Sequence, residues 1–199
     1  MTYFEQRGKQ KVDDSCGLLY PWYEVSFLKE WLAKENVSNW EVFEWGGGAS
    51  TLWWAKNAKH VDTLETDEKW TEDIKKGLDH YSLLNFSIDC VYVDNKNAQF
   101  GSQNKPTENM DRYLGYIDGL NKKYDCIIID GSYRDNAILV SEKHLRPGGY
   151  LIFDNYLQDS SGYTTLEYQW ILDERFQKTH TGTDGPWTTA VWKKLGETK

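Results

Sequence analysis

Cysteine is scarce in this 199-residue chain: there are three, Cys16, Cys90 and Cys126, with no C-x-x-C pair among them. An odd, isolated set argues against a disulfide framework or a zinc site and reads as reduced thiols. Long apolar runs are lacking as well. Nothing approaches the roughly 18 residues of a membrane-spanning helix, and residues 1–14 are polar without an apolar signal core. The expectation is a cytoplasmic protein with no membrane partner. An excess of positive charge is also missing: 23 Lys and Arg face 31 Asp and Glu, for a formal net charge of −8. With the lysines scattered, no nucleic-acid partner is expected, because a phosphate-backbone binder advertises a basic patch.

Aromatic residues, by contrast, are abundant, with 10 tryptophans and 13 tyrosines. Most must serve packing, since aromatic rings bury large areas, and a few could stack on a ligand ring. The length suits one domain, residues 1–199, in which 1–36 form a polar tail and a cap helix over 23–34. No internal repeat or low-complexity segment divides it. The oligomeric state stays open, a homodimer being one of the states allowed.

The densest signal is Phe43-Glu44-Trp45-Gly46-Gly47-Gly48-Ala49-Ser50-Thr51. A strand-like run enters it and a helical run leaves it. A glycine turn in that position lets a cofactor approach the backbone, and the helix N-terminus behind it suits a carboxylate or phosphate. A dinucleotide loop would want a third glycine where Thr51 stands, and an acid at Glu44 would face pyrophosphate. A carboxylate there suits a cationic amino-acid end instead. Glu65 closes the next strand about 20 residues beyond the turn, where an acid hydrogen-bonds ribose hydroxyls. Asp67, just after it, reads as the start of a helix.

Further strands are expected over 41–45, 61–65, 86–93, 124–130 and 150–153, and helices over 51–57, 68–83, 112–121 and 136–145. The polar stretch 94–111 reads as a long loop, and Arg146-Pro147-Gly148-Gly149 as helix-ending punctuation. Beyond it come a helix over 164–175 and strands over 176–181 and 188–193, joined at Thr183-Asp184-Gly185-Pro186 as a hairpin. Asp130 and the Asp154-Asn155 pair end two strands, where open α/β sheets bind ligands.

The pattern E-x-G-x-G-x-S at Glu44 to Ser50 resembles motif I of class I S-adenosylmethionine (SAM)-dependent methyltransferases. That resemblance implies a Rossmann-like α/β fold with a mostly parallel seven-stranded sheet, order 3-2-1-4-5-7-6, and helices on both faces. It implies SAM as cofactor, held by Glu44, Gly46, Gly48, Ser50, Thr51, Glu65 and Asp130, with Asp94 at the adenine edge. The stretch 124–156 resembles small-molecule O-methyltransferases of the catechol and caffeoyl-CoA types. It implies a Mg²⁺ ion on Asp130, Asp154 and Asn155 that lowers the pKa of an acceptor hydroxyl. The catalytic candidates are then Asp130 and Asp154, with His180 as the base if no metal binds. The expected activity is methyl transfer to a small-molecule hydroxyl. A SAM-binding subunit without catalysis and, less favoured, an aminopropyltransferase are the competing readings.

Overall fold

A computed structural model describes residues 31–93, 108–154, 172, 174–184 and 187–196. Strands β1 (Glu41–Trp45), β2 (His60–Glu65), β3 (Phe86–Cys90), β4 (Tyr124–Ile129), β5 (Leu145–Phe153), β6 (Phe176–Asp184) and β7 (Trp187–Lys194) form one sheet. Its order is β3-β2-β1-β4-β5-β7-β6, as the resemblance implied. The first five strands run parallel, and β7 pairs antiparallel with both β5 and β6. Helices α1 (Ala49–Asn57), α2 (Glu68–His80), α3 (Glu108–Gly119) and α4 (Arg134–Glu142) lie between the parallel strands.

Strand alternation divides the core into two layers. Phe43 and Trp45 of β1 join Tyr113 and Ile117 of α3 and Ala137 and Ile138 of α4 in one apolar cluster. Val42, on the opposite face, joins Leu52, Trp54 and Ala55 of α1 and Ile74 and Leu78 of α2 in the other. The central strand β4 is split the same way, Ile127 and Ile129 to the first cluster and Cys126 and Ile128 to the second. Burial on both faces is why its sequence reads as an unbroken apolar run. From β1 the chain winds outward through α1 and α2 on one side of the sheet and returns through α3 and α4 on the other. The winding reverses between β1 and β4, the switch point at which open α/β sheets form a crevice.

Several boundaries differ from expectation. β3 stops at Cys90, and residues 91–93 leave the ladder. α2 ends at His80 rather than 83, because the chain turns through Ser82 at φ 52°. α3 starts at Glu108, inside the stretch read as loop. β5 starts at Leu145, not 150: the Arg146–Gly149 punctuation is a bulge, with Gly148 at φ 75° and the β4 register shifting between Tyr124 and Cys126. Of the cap helix over 23–34, residues 31 and 32 are helical and 23–30 lie outside the described residues. The helix over 164–175 lies mostly outside them too, as do Cys16, Asp94, Asn155 and the Gly185-Pro186 tip of the hairpin.

Candidate functional site

Backbone hydrogen bonds step across the carboxyl ends of β2, β1, β4 and β5. Gly46 N–H donates to Leu64 O (2.8 Å), Asp130 N–H to Trp45 O (2.9 Å) and Asp154 N–H to Ile129 O (3.1 Å). The residues just beyond β2, β1, β4 and β5 are thereby held along one edge. Gly46 sits at φ 82°, and a Cβ placed on it would lie 2.6 Å from Gly131 Cα. Only glycine combines that backbone with that approach. The turns after β1 and β4 therefore touch at the switch point.

Glu44 does not face this edge. It is 0 % exposed, on the α1 side of β1. Its Oε1 accepts from the Ser50 hydroxyl, and its Oε2 from Thr51 Oγ1 and from Thr63 Oγ1 (3.1 Å). Burial pushes the carboxyl up from 4.5 to about 7 against those three hydrogen bonds, and the nearby charge of Glu65 adds to the rise. This corrects the expectation for three cofactor candidates. Glu44, Ser50 and Thr51 spend their side chains on one another, tying the end of β1 to the first turn of α1 from inside the protein. Thr51 Oγ1 also accepts the Gly48 N–H (3.0 Å), so the glycine turn closes on its own helix.

Glu65, in contrast, reaches the turn itself. Its Oε2 accepts the Gly47 N–H (2.8 Å), while Oε1 accepts the Thr66 N–H (2.6 Å) and the Asp67 N–H (3.3 Å). Among the described residues Oε2 has that single hydrogen bond, which leaves acceptor capacity for a ligand hydroxyl beside the turn. Trp70 completes this wall: its indole N–H donates to Gly47 O (2.8 Å). The Trp70 backbone in turn is capped by Asp67, as a helix-starting acid should do (2.8 Å). Gly48 has the most open side of the three, a built Cβ lying 3.7 Å from Trp70.

On the other flank, Asp130 and Asp154 come together, with the Asp130 side chain 32 % exposed. The Arg134 guanidinium lies between the two strand ends. Its Nη2 donates to Asp130 Oδ1 (2.8 Å) and Asp130 O (2.9 Å), its Nε to Gly131 O (3.1 Å), and its Nη1 to Asp154 O (2.5 Å). Asp154 Oδ1 accepts from Thr189 Oγ1 of β7 (2.5 Å). Desolvation, then the charge of Asp154 and a hydrogen bond between the two carboxyls, hold Asp130 well above the usual carboxylate range, although Arg134 pulls it down. Tyr133 enters α4 in the left-handed region at φ 50°, a costly conformation for a non-glycine residue that recurs at functional sites.

These donors do not fit the expected Mg²⁺ ion. A guanidinium already supplies the positive charge that such an ion would bring to Asp130, and Thr189 occupies an oxygen of Asp154. Asn155 lies outside the described residues, and among the described residues no group of three His, Cys, Asp or Glu side chains could hold an ion. His180 also drops out as a base. It pairs with Val191 on β7, which lies opposite Ile152 within β5, so it sits back from the strand ends. Its ring packs 5.7 Å from that of Trp31. His144 meets Asp118 Oδ1 at 2.5 Å. Arg134 and Trp70, which hydrogen-bond to the strand-end residues of this edge, were not among the expected ligands.

The opposite, amino-terminal edge of the sheet carries a cleft of about 440 Å³ lined by Glu41, Lys59, His60, Lys122, Lys123 and Arg146. These residues come from the starts of β1, β2, β4 and β5, so four cations gather in a chain that is acidic overall. Acids stand among them: Lys59 Nζ meets Glu41 Oε1 at 2.6 Å, Lys122 Nζ meets the buried Asp62 at 2.8 Å, and Arg146 pairs with the part-buried Asp125.

No family profile and no curated protein matches this chain by sequence. Solved structures match it by fold. An rRNA methylase from Streptococcus thermophilus aligns over 84% of this chain and 93% of its own, with a TM-score of 0.60 and 18% identity. A candidate methyltransferase from Streptococcus mutans, solved in complex with SAH, covers 86% and 97% with a TM-score of 0.60 and 14% identity. A candidate rRNA methylase from Clostridium thermocellum covers 86% and 95% with a TM-score of 0.59 and 14% identity. The fold is thus the Rossmann-like methyltransferase fold. The expectation of no nucleic-acid partner, built on net charge, is overturned. rRNA methylases share this fold, and net charge averages away a local basic cleft of the kind found here.

Proposed function

We propose that the chain binds SAM at the carboxyl edge of its sheet and transfers the methyl group to an acceptor carried on RNA. The observation that carries the reading is the meeting of three parts at the switch point. They are the Gly46–Gly48 turn against Gly131, the Glu65 carboxylate on the Gly47 N–H, and the Asp130–Asp154 pair on the far side. The first two suit an adenosine moiety, with backbone approach at the turn and a carboxylate oxygen for ribose hydroxyls. The acidic surroundings suit a ligand that is a net cation. Gly46, Gly48 and Glu65 remain the cofactor residues of this reading, and Asp130 borders both cofactor and acceptor.

Bound SAM would supply a methyl group already activated on a sulfonium. The protein's share is then orientation and the acceptor's proton. The carboxyl pair of Asp130 and Asp154, framed by Arg134 and Thr189, is positioned to accept that proton. A hydroxyl acceptor fits within this reading as a hydroxyl of the RNA itself. The rRNA methylases of the same fold support the choice of RNA, and so does the basic cleft on the opposite edge.

The test is a thermal melt with SAM and SAH, followed by transfer of radiolabelled methyl from SAM to separate RNA, ribosomal-protein and metabolite pools. The expected result is a raised melting temperature and label in the RNA pool. An unchanged melt at millimolar SAM would remove the whole reading. A clear shift with label in no pool would instead favour a SAM-binding subunit without catalysis.

A further inference from the structure

We propose that Arg134 is the resident cation of the acceptor cleft, a positioning residue that holds Asp130 and the ends of β4 and β5 where a divalent ion would otherwise be required. The side chain is only 9 % exposed, and its guanidinium lies in a ring of oxygens: Gly131 O, Asp130 O, Asp154 O and Asp130 Oδ1. Carbonyl and carboxylate oxygens gathered from two strand ends are the donor set a hard cation selects. Here the set is arranged for a planar fork, with separate N–H groups of one head group directed at four different oxygens.

A fixed cation eases the approach of the two carboxyls. Asp130 and Asp154 lie within hydrogen-bonding reach of each other. Two such groups in a partly desolvated cleft repel unless a proton or a positive charge intervenes. A divalent ion would meet that need only while bound. A guanidinium keeps its charge at every working pH and cannot dissociate. Arg134 stands one helical turn beyond Asp130, at the start of α4, so the fold delivers it to the same oxygens each time. Thr189, on β7, fixes the far carboxylate and completes the frame. Arg134 thus acts through Asp130, by holding that carboxyl toward the cleft.

The experiment needs neither methyl donor nor acceptor, so its failure would leave the proposed function standing. Wild type, Arg134→Ala, Arg134→Lys and Arg134→Ala/Asp130→Asn are melted with EDTA, Mg²⁺, Mn²⁺ and low millimolar guanidinium. Mn²⁺ binding is followed in parallel by electron paramagnetic resonance. Wild type is expected to melt alike in all conditions and to bind no Mn²⁺ through Asp130. Arg134→Ala is expected to melt lower and to recover several degrees with Mn²⁺ or guanidinium, a recovery lost in the double variant. An Arg134→Ala protein that melts low and answers to neither cation would reduce Arg134 to an ordinary structural side chain. Should Arg134→Ala fail to fold, the wild-type and Arg134→Lys titrations decide. Mn²⁺ bound by either, and displaced by Asp130→Asn, overturns the proposal, while its absence from both supports it.

Discussion

Gly46 and Gly131 meet backbone to backbone. A Cβ on Gly46 would fall 2.6 Å from Gly131 Cα and 2.7 Å from Gly131 N, and one on Gly131 would fall 2.8 Å from Gly46 N. This approach joins the turn after β1 to the turn after β4, and so couples the Glu65 side of the crevice to the acidic pair. Neither partner can take a side chain without moving main chain.

Gly46→Ala is therefore expected to be among the most damaging small substitutions. It combines a residue forced to φ 82° with a main-chain overlap, each costing about 1–3 kcal/mol. Urea denaturation should show a loss of roughly 3 kcal/mol or more, together with loss of any SAM-induced shift. Gly48→Ala, at extended φ 173° and with 3.7 Å of clearance, should cost far less. Equal losses for the two would mean that the Gly46–Gly131 approach is not what limits the turn.

Glu65 has two tasks, and Glu65→Gln can perform only one of them. An amide can present an oxygen to only one of the two N–H sets at Gly47 and at Thr66–Asp67. The other set then faces an NH₂ donor, at a cost of about 1–3 kcal/mol. The SAM-induced thermal shift should largely vanish in both Glu65→Gln and Glu65→Ala. A shift of wild-type size in Glu65→Ala, read by the same melt, would take Glu65 out of the cofactor site.

Glu44 makes stability depend on pH in an unusual direction for a carboxylate. Its pKa is raised by burial to about 7 from 4.5, so between those values the folded state holds a proton that the unfolded state has released. Stability then falls as pH rises through that window, and the contribution is fully present only below about 4.5. A rise of this size is worth about 3 kcal/mol. Glu44→Gln cannot ionise, so its stability relative to wild type should improve by up to about 3 kcal/mol between pH 5 and pH 8. Chemical denaturation at the two pH values checks it, and parallel behaviour of the two proteins would contradict it.

The parts of this site that were legible from sequence lie on the main chain or at strand ends. A glycine run after a strand, an acid closing β2, and acids after β4 and β5 are placed by alternation and by the parallel order, which the resemblance to methyltransferases supplied. What was not legible depends on side-chain direction. Glu44 could be placed at the turn, but only the packing of α1 on β1 shows that Ser50 and Thr51 turn back onto it. Arg134 falls outside the helix expected over 136–145, whereas α4 begins there and folds it over Asp130. The bulge at Arg146–Gly149 resembled a helix end, because Pro-Gly-Gly is equally good punctuation for either.

The basic edge was illegible for a simpler reason. Lys59, the Lys122-Lys123 pair and Arg146 are distant in sequence and meet only because they stand near the starts of β2, β4 and β5. Strands of five or six residues set this edge roughly 15–20 Å from the carboxyl ends, so it cannot touch a reacting nucleotide, but it can hold flanking backbone of a longer RNA. Lys59 and Lys123 are the residues to change. Lys122 carries the buried Asp62, which Tyr124 and His60 also touch, and its loss would unbalance the core. Lys59→Glu/Lys123→Glu should weaken RNA binding at low salt across sequences and flatten the plot of log affinity against log salt by about 1–2, near 0.9 for each phosphate left without its lysine. The SAM-induced thermal shift should remain at its wild-type size. RNA affinity and salt slope unchanged in the double variant would detach this edge from the proposed RNA substrate.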